Sequence, residues 1–166
     1  MRSKRADILQ NKSWDINHPK LQKLLKEYIS WNNDAEGYID SSEEELKQDI
    51  INCLNSYTID GYNLAKHLED YCHIQPDARL VEILDNVGYI KRSIITENLA
   101  NWVKSEKLAL PDNILGRKVS AKQDYQSFDN YFIVATKPET YEVIINKDRN
   151  VSVGNVVAFE NVTFID

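Results

Sequence analysis

The chain predicts an α+β fold, with helices first and an antiparallel sheet last, and three observations carry that prediction. Up to about residue 107 apolar residues recur every three and four positions. Past Pro111 the period falls to two and the composition turns β-branched and aromatic. No internal repeat and no long linker separates the two regimes. The expected organisation is a helical part over 1–110, with about five helices, followed by a small β part over 111–166 that curls into an antiparallel, SH3-like barrel or meander. The two parts are expected to dock as one unit.

The elements follow in order. After Pro19, which suits a first helical turn, Leu21, Leu24, Leu25, Tyr28 and Ile29 line one helical face up to about Trp31. Ser42-Glu43-Glu44-Glu45 opens the next helix, with Ser42 as cap and Glu45 reaching back to it, and Leu46, Ile50, Cys53 and Leu54 as its apolar stripe. Asp60 caps a third, carrying Tyr62, Leu64, Ala65, Leu68 and Cys72, which Ile74-Gln75-Pro76 ends. A fourth begins near Asp77 and stops at Gly88, read as a C-terminal cap. A fifth runs from about Tyr89 to Lys107. Strands are expected at 116–122, 130–136, 140–146 and 155–165, with Pro138, Lys147-Asp148-Arg149-Asn150 and Ser152-Val153-Gly154-Asn155 in turns. The segment 123–130 reads as an exposed loop presenting Tyr125 and Phe128.

Composition narrows the function. The 166 residues are 42% hydrophobic and 28% charged, with 20 Lys+Arg against 26 Asp+Glu and a net charge of −6. That sign argues against direct nucleic-acid binding, and no apolar run reaches the roughly 18 residues of a membrane span. Two cysteines at helical apolar positions and no signal-peptide core imply a reducing cytoplasm. Charge is uneven: residues 1–12 carry a net +3 and read as a solvated basic arm, whereas 34–49 hold seven acidic residues and one basic. An acidic face of that kind suits a basic groove on a partner protein. The expected partner-binding residues are Asp34, Glu36, Tyr38, Asp40, Glu43, Glu44 and Glu45, with Tyr125 and Phe128 from the β part.

Chemistry-bearing motifs are few. Asn32 to Glu43 resembles an EF-hand calcium loop, with oxygen ligands at Asn32, Asp34, Glu36 and Asp40, glycine at Gly37 and a closing Glu43. It departs from the pattern in having Asn first and Glu fifth, and an acidic helix–turn–helix with a capping box uses the same ingredients. Cys53, His67, Cys72 and His73 lack the paired spacing of a zinc site. Neither a phosphate-cradling glycine loop nor a nucleophile motif is present, so no cofactor and no catalytic residue is expected. Nine tyrosines, among them Tyr38, Tyr57, Tyr62, Tyr71 and Tyr89 near helix ends or turns, are suited to a protein-binding hot spot.

The blocks Asp60-Gly61-Tyr62-Asn63-Leu64-Ala65-Lys66-His67-Leu68-Glu69, Asp77-Ala78-Arg79-Leu80-Val81-Glu82-Ile83-Leu84-Asp85 and Trp102-Val103-Lys104 resemble small uncharacterised accessory proteins of bacteriophages and prophages, over roughly 58–120. The resemblance brings no site residues. It implies a phage-type, anti-defence inhibitor that binds a bacterial nuclease or defence complex and blocks it by steric and charge occlusion. A toxin-neutralising immunity protein is a closely related expectation, and a calcium- or small-ligand-binding regulator using 32–43 is the alternative of another class.

Overall fold

The computed structural model describes residues 2–10, 14–34, 41–72 and 75–165. Five α-helices precede five strands: α1 Arg2–Gln10, α2 Pro19–Asp34, α3 Glu43–Asn55, α4 Gly61–Cys72, α5 Ala78–Ser105, β1 Lys118–Gln123, β2 Gln126–Lys137, β3 Glu142–Asn146, β4 Asn155–Ala158 and β5 Val162–Phe164. The class is therefore α+β. Two compact units divide the chain, one of residues 10–95 and one joining residues 1–9 to 96–166. The change of period near residue 110 marks where helix gives way to strand; the unit boundary falls earlier, within α5.

In the helical unit the predicted stripes are the buried faces. Leu21, Leu24 and Tyr28 of α2, Ile50 and Leu54 of α3, Leu64 and Leu68 of α4, and Leu80 and Leu84 of α5 are all within 1% of full burial. Tyr28 stacks on Trp31 with ring centroids 5.7 Å apart, and each aromatic keeps a polar partner: Tyr28 Oη lies 3.0 Å from Asp49 Oδ2 and Trp31 Nε1 donates to Asp77 Oδ1 at 2.9 Å. Local signals set the helix starts. Ser42 and Glu45 form the reciprocal capping box, and the Asp60 carboxylate accepts from the Asn63 amide at 2.9 Å. The two hydrogen bonds from Ser42 hold the Glu45 carboxyl below its ordinary range.

Two helical expectations are corrected. Gly88 does not end a helix: α5 runs through it for 28 residues. A Cβ at Gly88 would lie 2.8 Å from Ile59 Cβ, so the glycine admits the α3–α4 loop against the helix instead of capping it. The basic terminus is no solvated arm either, because residues 2–10 are helical and Arg5 is 5% exposed.

The sheet unit is a meander. All pairings are antiparallel and the strand order is β4-β3-β2-β1-β5. The sheet is open, with β4 and β5 as edges, so a closed barrel is not formed by its hydrogen bonds. It curls nonetheless: a bulge faces Ser120 where Asn130 takes a left-handed φ of 59°, and Cα atoms of β1 and β4 come within 8 Å. Val119, Ile133, Val143 and Ile145 are fully buried on the concave side. The strand expected at 155–165 is divided by a 3-10 turn, Phe159–Asn161, which turns the chain from β3's partner β4 to β1's partner β5.

Candidate functional site

The α3–α4 loop is fastened along about two turns of α5 by three contacts. Lys91 Nζ donates to the Ser56 carbonyl at 3.0 Å, the Gly61 amide donates to Asp85 Oδ1 at 2.8 Å, and Ile59 sits against Gly88. Gly61 is needed there, since a Cβ would stand 2.4 Å from both Asp85 Oδ1 and the Val81 carbonyl. Burial pushes the Lys91 ammonium down from its ordinary value.

This fastening leaves four large side chains facing water: Tyr57 (107% exposed), Ile59 (41%), Tyr62 (64%) and Tyr89 (66%). A rigidly backed group of aromatics at the surface is what a protein-binding hot spot requires, because tyrosine brings large contact area with few rotors to freeze. Tyr89 also lines a groove of about 220 Å³ between α2 and α5, whose charged residues are Lys20, Lys23 and Glu27. The charge is divided unequally between the two units. Residues 10–95 contain nine Lys+Arg against fifteen Asp+Glu, and the other unit eleven against eleven, so the whole net charge of −6 belongs to the unit that carries the tyrosines.

The acidic segment is less free than its sequence suggests. Asp34 accepts from Arg79 at 3.0 Å, Glu43 and Glu44 both pair with Lys47, at 3.0 and 2.9 Å, and Glu45 is engaged by the capping box. Glu36, Tyr38 and Asp40 lie outside the described residues, as does the side chain of Tyr71. Tyr125 is fully exposed at the tip of the β1–β2 hairpin, next to Asp124 with φ 53°. Phe128 is not on a loop: it belongs to β2, is 8% exposed and meets Tyr131 edge-on at 5.4 Å, so it supports the sheet and offers no contact surface.

The calcium reading of 32–43 meets an obstacle in α2. Asn32 and Asp34 are both helical, and residues two apart on a helix point to opposite sides. Asn32 is 4% exposed and faces the core, whereas Asp34 is exposed and held by Arg79, so the first and third positions cannot converge on one ion. Among the described residues no three His, Cys, Asp or Glu side chains gather as a metal site.

Sequence reasoning missed a second constellation, in the sheet unit. Arg5 donates from Nε to Glu160 Oε1 at 2.6 Å, from Nη1 to Glu142 Oε1 at 3.2 Å, and from Nη2 to the Thr140 and Tyr141 carbonyls at 2.8 and 3.0 Å. Its guanidinium lies 5.2 Å from the Trp102 ring centroid. Burial, followed by the nearby Glu160 charge, raises the Tyr141 hydroxyl above its ordinary value. With every guanidinium nitrogen engaged, the cluster is a fastening of α1 to the sheet. No local signal in residues 2–10 foretells it, because its counter-charges lie more than 130 residues away.

Family models, curated proteins and solved structures were each compared with the chain, and none matches it.

Proposed function

We propose that this chain is a non-enzymatic protein-binding inhibitor that docks on a basic surface of its partner and blocks it by occlusion. The observation that carries the reading is the exposed group Tyr57, Ile59, Tyr62 and Tyr89 on the unit holding all of the net negative charge. Apolar anchors supply the affinity and the surrounding acidity supplies steering and orientation toward a cationic face. Glu43 and Glu44, at the opposite end of α3 from Tyr57, take part through the unit's net charge. Glu45 is withdrawn from that role, since its carboxylate is spent on the helix start.

A phage-type inhibitor of a bacterial nuclease or defence complex is the partner class we infer, from the resemblance over 58–120 and from the basic grooves that nucleases present to nucleic acid. A reducing cytoplasm is the matching setting, inferred from two cysteines that both fall at apolar positions of helical patterns in the sequence. The order β5-β1-β2-β3-β4, with a 3-10 turn before the last strand, supports an SH3-like description of the sheet as a scaffold separate from the tyrosine surface.

The test is capture of the tagged full chain from a bacterial lysate at two salt concentrations, beside a Tyr57→Ser, Tyr62→Ser, Tyr89→Ser variant. A basic protein recovered near stoichiometry, weakened by salt and lost with the triple variant, is the expected result. A partner retained equally by the variant, or no partner at all, overturns the reading. The three positions are exposed, so helix content stays intact and reports on the variant's fold.

A further inference from the structure

We propose that the socket holding Arg5 is an arginine-recognition site in its own right, and that α1 is a tethered, releasable ligand of it. A helix ordinarily docks through an apolar stripe. α1 does not: of its side chains from Lys4 to Gln10 only Arg5 is buried, Ile8 is half-buried and the rest are exposed, Leu9 by 49%. Its other ion pair, Lys4 with Glu106, joins side chains 57% and 42% exposed and holds little. Nine residues are also too few for α1 to persist alone, since isolated helices below about 12 residues are marginal in water. One side chain therefore carries the docking of the segment, as a single anchor carries a peptide on its receptor.

The socket is built without help from Arg5. Thr140 Oγ1 donates to Glu142 Oε2 at 2.7 Å and fixes that carboxylate. The Thr140 and Tyr141 carbonyls are set by the 3-10 turn Pro138–Thr140 and by the left-handed φ of 54° at Tyr141, whose amide donates to the Pro138 carbonyl at 3.2 Å. A second turn, Phe159–Asn161, carries Glu160, and the Phe159 amide ties it to the Tyr141 carbonyl at 3.1 Å. The acceptors thus stand on backbone that the arginine does not hold. Their arrangement selects the ligand. They meet Nε and both Nη atoms separately, which a planar fork of five donors satisfies and the three clustered donors of a lysine ammonium do not. The Trp102 ring adds a surface for a flat cation. The site belongs to the unit of residues 1–9 and 96–166 and does not rest on the reading of the tyrosine surface.

Two measurements test it. Arg5→Ala empties the socket by the volume of an ethylguanidinium, and melting of the full chain is followed during titration with ethylguanidinium and with propylammonium, which lacks the fork. Ethylguanidinium is expected to raise the melting temperature saturably, by about 5–10 °C at about ten times its Kd, and propylammonium to bind at least about fivefold more weakly. On the unaltered chain, amide hydrogen exchange is read at Ile8, Leu9 and Gln10 of α1 beside Ile133 and Val143 of the sheet. The α1 amides are expected to open while the sheet amides stay closed, and Nα-acetyl-arginine amide at about ten times its Kd should speed their exchange about tenfold by occupying the vacated socket; Nα-acetyl-lysine amide should not. Equal rescue by the two cations, an α1 that opens only together with the sheet, or no acceleration by the arginine amide overturns the proposal and leaves Arg5 a fixed part of the fold. Should Arg5→Ala fail to fold, the exchange measurement decides.

Discussion

Arg5→Met is the substitution that most directly probes how the sheet unit is held together. Methionine keeps the unbranched apolar stem but removes the guanidinium, with its five donors and its contact with the Trp102 ring. Left behind are the Glu142 and Glu160 carboxylates, 19% and 9% exposed, and two carbonyls that lose their donor. Breaking a buried ion pair from one side typically costs about 3–5 kcal/mol, because the surviving charge is uncompensated. The Arg5 side chain is only 6% exposed, so solvent screening discounts little of this. Whole domains are stable by about 5–15 kcal/mol, which makes the loss a large share of the unit's stability. Urea unfolding followed at the amides of Ile133 and Val143 for the sheet unit, and of Leu54 and Leu84 for the helical unit, separates the two. The expected result is a loss of about 3–5 kcal/mol confined to the first pair of probes. Adding Glu142→Gln and Glu160→Gln to the same chain should return part of it, since the orphan charges disappear. A loss under about 1 kcal/mol, the value of an exposed ion pair, would refute the argument that this cluster is buried and structural.

Two further outcomes concern the helical unit. Ser42→Ala should cost about 1 kcal/mol through loss of the α3 cap, read by thermal or urea unfolding. Glu45 gives that cap a pH signature: its folded pKa is depressed, so its contribution is present above the ordinary value of 4.5 and disappears as pH falls through the folded value, and Glu45→Gln should flatten this acid limb. Gly88→Ala, normally favourable inside a helix by up to about 1 kcal/mol, should instead destabilise by about 1–2 kcal/mol because the methyl meets Ile59 Cβ at 2.8 Å. A gain on unfolding would show that the loop yields easily.

What the chain disclosed in advance was what neighbouring residues decide among themselves. The capping box of α3, the Asp60 cap and the apolar stripes of α2 and α3 depend on spacings of three and four residues and appear as read; in α4 Leu64, Ala65 and Leu68 are buried, but Tyr62 of the same stripe is exposed and the Cys72 side chain lies outside the described residues. Gly88 illustrates the limit. A glycine just past an apolar stripe carries the same local signal whether it caps a helix or admits a neighbour, and Ile59, 29 positions away, decides between them. Phe128 was masked by its polar neighbours: Gln126, Ser127, Asp129 and Asn130 suggest a loop, but a bulged strand turns them outward and the phenyl ring inward. The tyrosines were visible as residues and not as a surface. Tyr28 and Tyr57 look alike in sequence, yet one is fully buried and the other fully exposed, and only the fastening of the α3–α4 loop to α5 fixes the backbone from which Tyr57, Ile59 and Tyr62 face water.

The Arg5 fastening also bears on the order in which the chain can acquire its structure during synthesis. The last carboxylate of the cluster, Glu160, is made 155 residues after the arginine. At about 5–20 residues per second that is a wait of roughly 8–30 s, during which the Arg5 cluster stays incomplete. The unit of residues 10–95 can be finished within the interval, since all of its core lies upstream of residue 96. The sheet unit, by contrast, closes a loop over the whole intervening chain and cannot be completed until residue 160 has been made, so a product interrupted before that residue would carry a mature helical unit and an unfinished sheet unit.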